Sequence, residues 1–274
     1  MIRHKKNILM IGPLPPPVGG ARVLFQAFVE ELNKRNDIEI EVVETWKPKL
    51  PIREKLKQAI AAFYEILSKV REVDVVTFWC SENGMLYFAP VVSLISFLHR
   101  RPWILRRFGR GYANSLDEMG VAQRVLTRMV FLTADLILLE THHAVDYFEN
   151  ALPKAKVAWH ANYKKNHETR LTVKDKCNYF VFLGKVNEKK GIWEIIQAAE
   201  RFHEDEIRVD VYGPMDGNLT RSDFYGCRNV RYEGVINPQN VPQVIRQYDA
   251  LLLPTHYEKE GYPGAILEAY EVGL

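Results

Sequence analysis

Short apolar runs of strand length alternate with longer amphipathic stretches of helical period along this chain, and the whole pattern occurs twice. Such alternation is typical of parallel sheets whose strands are joined by covering helices. The strands are predicted at residues 8–11, 38–43, 73–78, 103–105, 136–139, 156–159, 179–183, 208–212 and 250–253. The chain is therefore predicted to have an α/β fold with two doubly wound parallel sheets.

A polar, aperiodic segment between Tyr163 and Asn178 separates the two series. The chain has 274 residues, 47% of them hydrophobic, so it exceeds the roughly 100–200 residues of one typical domain and can build two cores. We predict a first domain at residues 1–165 and a second at 175–274.

Composition argues against several functional classes. The 37 basic and 34 acidic residues leave a net charge of +3, and the basic clusters lack interleaved aromatic platforms, so nucleic-acid binding is not expected. Cys80, Cys177 and Cys227 lie too far apart for a disulfide framework or a metal site, which favours a reducing, cytoplasmic location. The apolar run at 8–11 is too short for a signal-peptide core.

The first candidate site is the loop after the first strand, where Gly19 and Gly20 precede a predicted helix. A helix N-terminus offers unpaired amides and a partial positive charge, so a diphosphate could bind at these glycines. The spacing is not the three-glycine dinucleotide fingerprint, and a simple tight turn fits the glycines as well.

The second candidate site runs from Gly184 to Gly191, between a predicted strand and a predicted helix. Ligands bind at the carboxyl ends of strands in such folds. Lys185 and Lys190 could neutralise the charge that builds on a departing diphosphate. A solvated basic loop is the alternative interpretation.

The third candidate site holds two carboxylates eight positions apart, Glu260 before the last predicted helix and Glu268 within it. Both could face a ligand that rests on the amides near Gly261 and Tyr262. Carboxylates accept hydrogen bonds from the hydroxyls of sugars and ribose. Two exposed helix acids are the alternative. Pro263 suits the first helical position.

These motifs stand in one register that resembles the retaining family four glycosyltransferases, whose mark is a pair of glutamates separated by seven residues. The resemblance covers nearly the whole chain. It is carried by Glu260 and Glu268 with Pro254, Thr255, Ala269 and Gly273, by residues 182–191 and 211–213, by Pro17, Gly19 and Gly20, and by residues 134–141 and Asn162.

The resemblance implies a GT-B fold, in which two Rossmann-like domains face a cleft. It further implies a nucleotide-sugar donor held mainly by the second domain, and a saccharide or lipid-linked saccharide acceptor bound mainly by the first. This family needs no metal, and the nucleotide sugar is a co-substrate rather than a cofactor.

Carried over residue by residue, the resemblance assigns the donor diphosphate to Lys185 and Lys190. It places Glu260 against the donor sugar and Glu268 on the nucleotide ribose. The amides of residues 19–20 would complete the phosphate cradle across the cleft.

The sequence departs from the family at three places. Lys185 stands where arginine is usual, and it lacks the two-pronged geometry of a guanidinium. Phe108 stands where the family often has histidine. The family continues beyond Leu274 with another strand, a glycine-bearing loop and a helix, so the second domain is predicted to be incomplete.

Two basic clusters each have two interpretations. The stretch from Lys47 to Arg71 either lies on an anionic membrane as a peripheral contact, or is a surface helix whose apolar stripe faces the core. Arg106, Arg107 and Arg110 either meet an acceptor phosphate or partly complement a helix dipole. The apolar stretch at 85–98 is shorter than the roughly 20 residues that cross a bilayer and is predicted to be a buried helix.

The leading functional prediction is retaining sugar transfer in surface polysaccharide or glycan synthesis, at the cytoplasmic side of a membrane or in the cytoplasm. The alternative is a truncated, catalytically silent relative that binds a partner or a membrane through its first domain. Nucleotide-sugar epimerases share this fold and would bind the donor without transferring it to an acceptor.

Overall fold

The computed structural model describes residues 5–16, 20–45, 51–109, 116, 119–164, 176–203, 206–257 and 260–274. The chain divides into two compact units, residues 1–162 and residues 163–274. Each unit contains one sheet in which all paired strands are parallel. The predicted α/β fold with two parallel sheets is confirmed.

The sheet of the first unit has the order β2-β1-β3-β4-β5-β6. Its strands are β1 (Lys6–Gly12), β2 (Ile38–Glu44), β3 (Val75–Cys80), β4 (Trp103–Arg107), β5 (Leu136–Leu139) and β6 (Val157–Trp159). The helices described between them are α1 (Gly20–Leu32), α2 (Ile52–Lys69), α3 (Glu82–Tyr87), α4 (Ala89–Leu98), α5 (Val121–Thr133) and α6 (His142–Ala151).

Helices cover both faces of this first sheet, because the strand order reverses at β1. Right-handed connections that run in opposite directions along a sheet place their helices on opposite faces. Helix α1 packs on one face through Phe25, against Met10, Trp79 and Phe108. The larger apolar cluster draws buried side chains from α2, α4, α5 and α6.

The sheet of the second unit has the order β10-β7-β8-β9. Its strands are β7 (Tyr179–Leu183), β8 (Arg208–Tyr212), β9 (Val230–Gly234) and β10 (Ala250–Leu251). The helices are α7 (Ile192–Ala199), α8 (Val241–Ile245) and α9 (Gly264–Val272), with 3₁₀ turns at Glu188–Lys190, Arg221–Phe224 and Pro238–Asn240.

Strand β9 was not predicted from the sequence. It lies at an edge of the sheet, and Arg231 and Glu233 alternate in it with half-buried or buried positions. An edge strand tolerates such charged side chains, so its apolar signal is weak. Strand β10 is shorter than the predicted strand at 250–253 and contains only Ala250 and Leu251.

The prediction of a buried helix at 85–98 is confirmed only in part, because the segment is helical and one of its sides lies in the core. The segment forms two helices, α3 and α4, which meet at Phe88 and Ala89 just before Pro90. A proline lacks an amide hydrogen and disfavours helical geometry in the residue before it, which accounts for the break. The outer side of α4 is open to solvent. Within the described part of the chain, no helix combines the length and the apolar character needed to cross a bilayer.

Candidate functional site

The loop after β7 is held in a fixed shape by Asn187 and Gly191. The Asn187 side-chain oxygen accepts a hydrogen bond of 3.1 Å from the Lys190 amide and caps the 3₁₀ turn at Glu188–Lys190. Gly191 has a φ of 79°, and a Cβ added there would lie 2.2 Å from the carbonyl oxygen of Pro254. Only glycine fits this contact, and it brings the loop against the segment that follows β10.

Lys190 and Glu260, which are 70 positions apart, meet in this loop region. The Lys190 Nζ donates a hydrogen bond to Oε2 of Glu260, and the side chains are only 17% and 21% exposed. The Thr255 hydroxyl donates to the same oxygen over 3.2 Å. The ring of Tyr257 lies 5.7 Å from the Lys190 Nζ, within range of a cation–π interaction.

Backbone hydrogen bonds fix the segment that carries Thr255 and Tyr257. The His256 amide donates to the Lys189 carbonyl over 3.1 Å, and the Glu260 amide donates to the Tyr257 carbonyl over 2.9 Å. Thr255 belongs to the motif register of the sequence, whereas Tyr257 was not among the predicted site residues. The position of an aromatic residue three places before Glu260 is the sequence signal that could have identified Tyr257.

Opposing effects act on the protonation of Lys190. Burial, and then the positive charge of Lys185, lower the pKa of Lys190. The neighbouring Glu260 carboxylate acts in the opposite direction, because it favours the ammonium form. A half-buried ammonium beside a carboxylate can exchange that partner for a phosphate oxygen of comparable charge.

Lys185 lies in the same loop but makes a different contact. Its Nζ is 3.1 Å from Oδ2 of Asp216, and both side chains are exposed. The hydrogen bond from Lys185 and its charge hold the pKa of Asp216 below the ordinary value for aspartate. The structure therefore places Lys185 at the rim of the site, with Lys190 and Glu260 deeper in it.

Glu268 lies within α9, as predicted, and its partner is Lys164. The Lys164 Nζ forms ion pairs with Glu268 and, at 3.4 Å, with Glu271 one turn further along the helix. Burial raises the pKa of Glu268, and the charge of Lys164 opposes that increase. Lys164 lies in the polar segment that separates the two series of strands. Nothing in the pattern of that segment indicates a contact with Glu268.

Gly261 and Tyr262 lie immediately before α9 and are half-buried. Pro263 is the residue that caps this helix, which begins at Gly264, so it stands one position earlier than predicted. Gly273 ends the helix with a φ of 82°, as its place in the sequence indicated.

The first unit contains the remaining predicted site residues. Gly20 is the first residue of α1 and is exposed. Gly19 and Arg110 lie outside the described residues, so their predicted roles stay predictions.

Arg106 and Arg107 are buried, with 1% and 3% of their surfaces exposed, which does not suit the predicted surface contact with an acceptor. The Arg106 Nη2 donates to Oδ1 of Asn162 over 2.9 Å, and Nδ2 of Asn162 donates to Oε1 of Glu140 over 3.0 Å. The Gly109 amide donates to the other Glu140 oxygen over 2.9 Å. The guanidinium of Arg106 thus belongs to an interior polar network that joins the carboxyl ends of β4 and β5.

His160, which was not among the predicted site residues, lies beside this network. Its ring centroid is 6.2 Å from that of Trp79, which also packs on Phe108. Burial and then the charge of Arg106 lower the pKa of His160, which favours the neutral imidazole. A position just after β6 at the carboxyl edge of the first sheet is the signal that could have found it.

Within the described ranges, no three His, Cys, Asp or Glu side chains are grouped as the ligands of a metal ion would be.

Solved structures share the architecture of this chain at low sequence identity. Sucrose-phosphate synthase from Thermosynechococcus elongatus is similar with a TM-score of 0.67 and 11% identity, over 98% of this chain and 80% of that one. The lipopolysaccharide outer core galactosyltransferase WaaB in its apo form gives a TM-score of 0.64 and 15% identity, over 98% and 79%. A mutant of S. aureus TarM in complex with fondaparinux, alpha-GlcNAc-glycerol and UDP gives 0.55 and 12%, over 78% and 43%.

These likenesses show the fold, two Rossmann-like units of the GT-B type. No curated protein sequence matches the chain. Residues 164–274, which contain Lys185, Lys190, Glu260 and Glu268, match the family model described as "Glycosyl transferases group 1". The second unit is therefore similar to the glycosyl transferases group 1 family.

Proposed function

We propose that the chain transfers a sugar from a nucleotide-sugar donor to a saccharide or lipid-linked saccharide, with retention at the anomeric carbon. The observation that carries this proposal is the half-buried pair of Lys190 and Glu260 beyond the carboxyl ends of β7 and β10. In our proposal, Lys190 is the cation that stabilises the leaving diphosphate, and Glu260 is the carboxylate that binds sugar hydroxyls. The two side chains are in contact without a ligand.

Lys190 is the residue to which we assign the leaving group. In the reaction, the bond between the anomeric carbon and the diphosphate oxygen breaks, and a bond from that carbon to the acceptor oxygen forms. The diphosphate departs with the bonding electrons, and its oxygen takes up the proton that the acceptor hydroxyl gives up. Lys190, assisted by Lys185 at the rim, stabilises the negative charge that develops on the diphosphate.

Glu260 and Glu268 are assigned to different parts of the donor. Once Lys190 contacts the diphosphate, the Glu260 carboxylate can accept hydrogen bonds from the donor sugar, with Thr255 still bound to it. Glu268 on α9 accepts hydrogen bonds from the ribose hydroxyls, and the amides of Gly261 and Tyr262 lie between the two carboxylates in the chain. The amides of residues 19–20 are assigned to the phosphates from the first unit.

The acceptor belongs to surface polysaccharide or glycan synthesis in this proposal. WaaB is a galactosyltransferase of the lipopolysaccharide outer core, and TarM was solved with UDP and a glycosylated glycerol, which supports a nucleoside diphosphate leaving group and a saccharide-type acceptor. The three cysteines are free thiols, which suits the reducing cytoplasm. We place the reaction there, at the inner face of a membrane where the acceptor is lipid-linked.

A transfer assay tests the proposal. The chain is incubated with a panel of nucleotide sugars and saccharide acceptors, and the glycosylated product and free nucleoside diphosphate are measured together. We expect product with the donor's anomeric configuration, which NMR coupling constants report. Inverted product would contradict retention. Donor binding without product would indicate the catalytically silent relative, and an epimerised donor without transfer would indicate an epimerase.

A further inference from the structure

The outer side of α4 is an exposed apolar stripe. Val91, Leu94, Phe97 and Leu98 recur at helical spacing on one side, while Val92 and Ile95 on the other side enter the core. Leu94 is 58% exposed and Phe97 is 76% exposed. The helix is therefore apolar on both sides, although only one side has a partner within the described part of the chain.

Helix α5 repeats the arrangement beside α4. Its outward stripe consists of Val121, Val125, Met129 and Leu132, all of which are exposed. The two helices contact each other, and a hydrogen bond of 2.8 Å joins the hydroxyls of Ser93 on α4 and Thr133 at the end of α5. We name the outward stripes of these two contacting helices the α4–α5 face.

The charges within α4, α5 and the described residues that flank them at 88–109 and 119–134 have a single sign. Neither residues 88–109 nor residues 119–134 contain an Asp or Glu. Arg100 and Arg128 are exposed, and among the described residues neither forms an ion pair. Scattered exposed apolar residues are ordinary, whereas a contiguous patch of this kind marks an interaction site.

The chemistry of the patch fits a lipid surface. Interfacial helices insert an apolar side at the boundary of headgroups and acyl chains, and they add attraction between Lys or Arg and anionic headgroups. A protein partner for this face would need an apolar surface surrounded by acidic residues. An anionic bilayer has both an apolar interior and negatively charged headgroups.

We propose that the α4–α5 face docks on anionic membranes, with the stripes of α4 and α5 inserted and Arg100 and Arg128 paired with headgroups. This inference goes beyond the proposed transfer reaction and does not depend on it. It is separate from the membrane interpretation of α2, where Ile66 packs in the core, Leu56, Ile60 and Phe63 are exposed, and Lys57 pairs with Glu54 at 2.9 Å.

Sedimentation with lipid vesicles tests the proposal on the full chain. Vesicles of phosphatidylcholine alone are compared with vesicles that also contain phosphatidylglycerol. We expect binding to the anionic vesicles, and a loss of about tenfold or more in affinity for the double variant Leu94→Ser with Phe97→Ser. The variant Arg100→Gln with Arg128→Gln should lose about fivefold per charge, with the loss confined to anionic vesicles.

Two controls keep the result specific. Tyr225→Ser removes a side chain of similar exposure, 78%, in the second unit and should bind vesicles like the unchanged chain. Lys57→Gln on α2 should have little effect. All substituted residues are exposed, so the thermal unfolding midpoint of each variant should equal that of the unchanged chain. An equal midpoint would show that the variant is folded.

Three outcomes would overturn the proposal. In the first, the chain does not sediment with anionic vesicles. In the second, the Leu94→Ser with Phe97→Ser variant binds vesicles as the unchanged chain does. In the third, light scattering shows that the unchanged chain is a dimer and that this variant is a monomer, while neither binds vesicles. The last would identify a second copy as the occupant. Failure of sugar transfer with intact vesicle binding would contradict the proposed function alone.

Discussion

At the scale of single residues, the pairing of Lys190 with Glu260 makes a direct prediction about catalysis. Lys190→Ala removes the cation assigned to the leaving diphosphate and leaves Glu260 without its ion-pair partner. We expect the turnover number for transfer to fall by about a hundredfold or more, as it does when one stabilising group is removed from a developing anion. Steady-state kinetics with the preferred donor measure this loss.

Lys189→Ala is the matched control, because Lys189 belongs to the same 3₁₀ turn but is exposed. Its turnover should stay within about threefold of the unchanged chain, since an exposed charge contributes little. Glu260→Gln should lower transfer as Lys190→Ala does. Unchanged rates in Lys190→Ala and Glu260→Gln would show that the two assigned roles are wrong.

The pairing of Lys164 with Glu268 predicts a pH dependence. Glu268 must be ionised to accept ribose hydrogen bonds, so nucleotide affinity should weaken as pH falls through its pKa, which burial has raised. Lys164→Met removes the opposing charge and raises that pKa further. We therefore expect the loss of affinity to begin at a higher pH in this variant.

Lys164→Arg keeps the charge and should retain the original pH profile of nucleotide affinity. Titration of each variant with a nucleoside diphosphate at several pH values separates the two behaviours. Superimposable profiles for Lys164→Met and the unchanged chain would exclude Lys164 as the group that keeps Glu268 ionised.

The interior network of the first unit predicts a stability effect. Glu140→Ala removes the acceptor shared by Asn162 and the Gly109 amide, beside the buried Arg106. Breaking a buried charged network costs about 3 kcal/mol in the free energy of unfolding. Glu149→Ala, on the exposed side of α6, should change it by less than about 0.5 kcal/mol. Equal denaturation midpoints for both variants would contradict this description of the network.

At this scale, Lys190, Glu260 and Glu268 could be predicted as candidate site residues from their motifs, and their roles stay predictions. Their partners could not, since Thr255 and Lys164 reach them through loop conformations that leave no periodic signal. The burial of Arg106 could not be predicted either, because arginine is normally a surface residue unless it has a buried partner.

At the scale of elements, β5, β7 and β8 end where the apolar runs end in the sequence. Buried parallel strands carry continuous apolar residues and are therefore easy to predict. The edge strand β9 lacks that continuity, and α4 is apolar on both sides without being buried on both. Periodicity reports which residues are apolar, but only tertiary packing decides which apolar sides are covered.

The contact between the loop after β7 and the segment after β10 depends on Gly191. Gly191→Ala places a Cβ 2.2 Å from the Pro254 carbonyl oxygen in addition to the left-handed φ of 79°. We expect the free energy of unfolding to fall by about 3 kcal/mol, together with a loss of donor binding. Chemical denaturation measures the first effect and calorimetry the second.

Gly217→Ala separates the clash from the conformational cost. Gly217 has a similar φ of 83°, and no described atom lies within 4 Å of an added Cβ. That substitution should cost only about 1–2 kcal/mol, the ordinary penalty for a left-handed residue. If Gly191→Ala were no more destabilising than Gly217→Ala, the close approach to Pro254 would not be what shapes the loop.

At the scale of the whole molecule, the glycosyl transferases group 1 match covers residues 164–274, which lie in the second of the two units. The residues that we assign to the donor and that form ion pairs in the structure are all in the second unit, namely Lys185, Lys190, Glu260 and Glu268. We therefore propose that this unit binds the nucleoside diphosphate portion of a nucleotide sugar.

Calorimetric titration of the full chain with UDP, GDP, ADP and their nucleotide sugars tests that claim most directly. We predict saturable binding of one nucleoside diphosphate and its sugar conjugates, weakened about tenfold or more by Lys190→Ala and by Glu268→Gln and unchanged by Lys189→Ala. The absence of binding by every nucleotide in the panel, or binding that none of these substitutions alters, would contradict it.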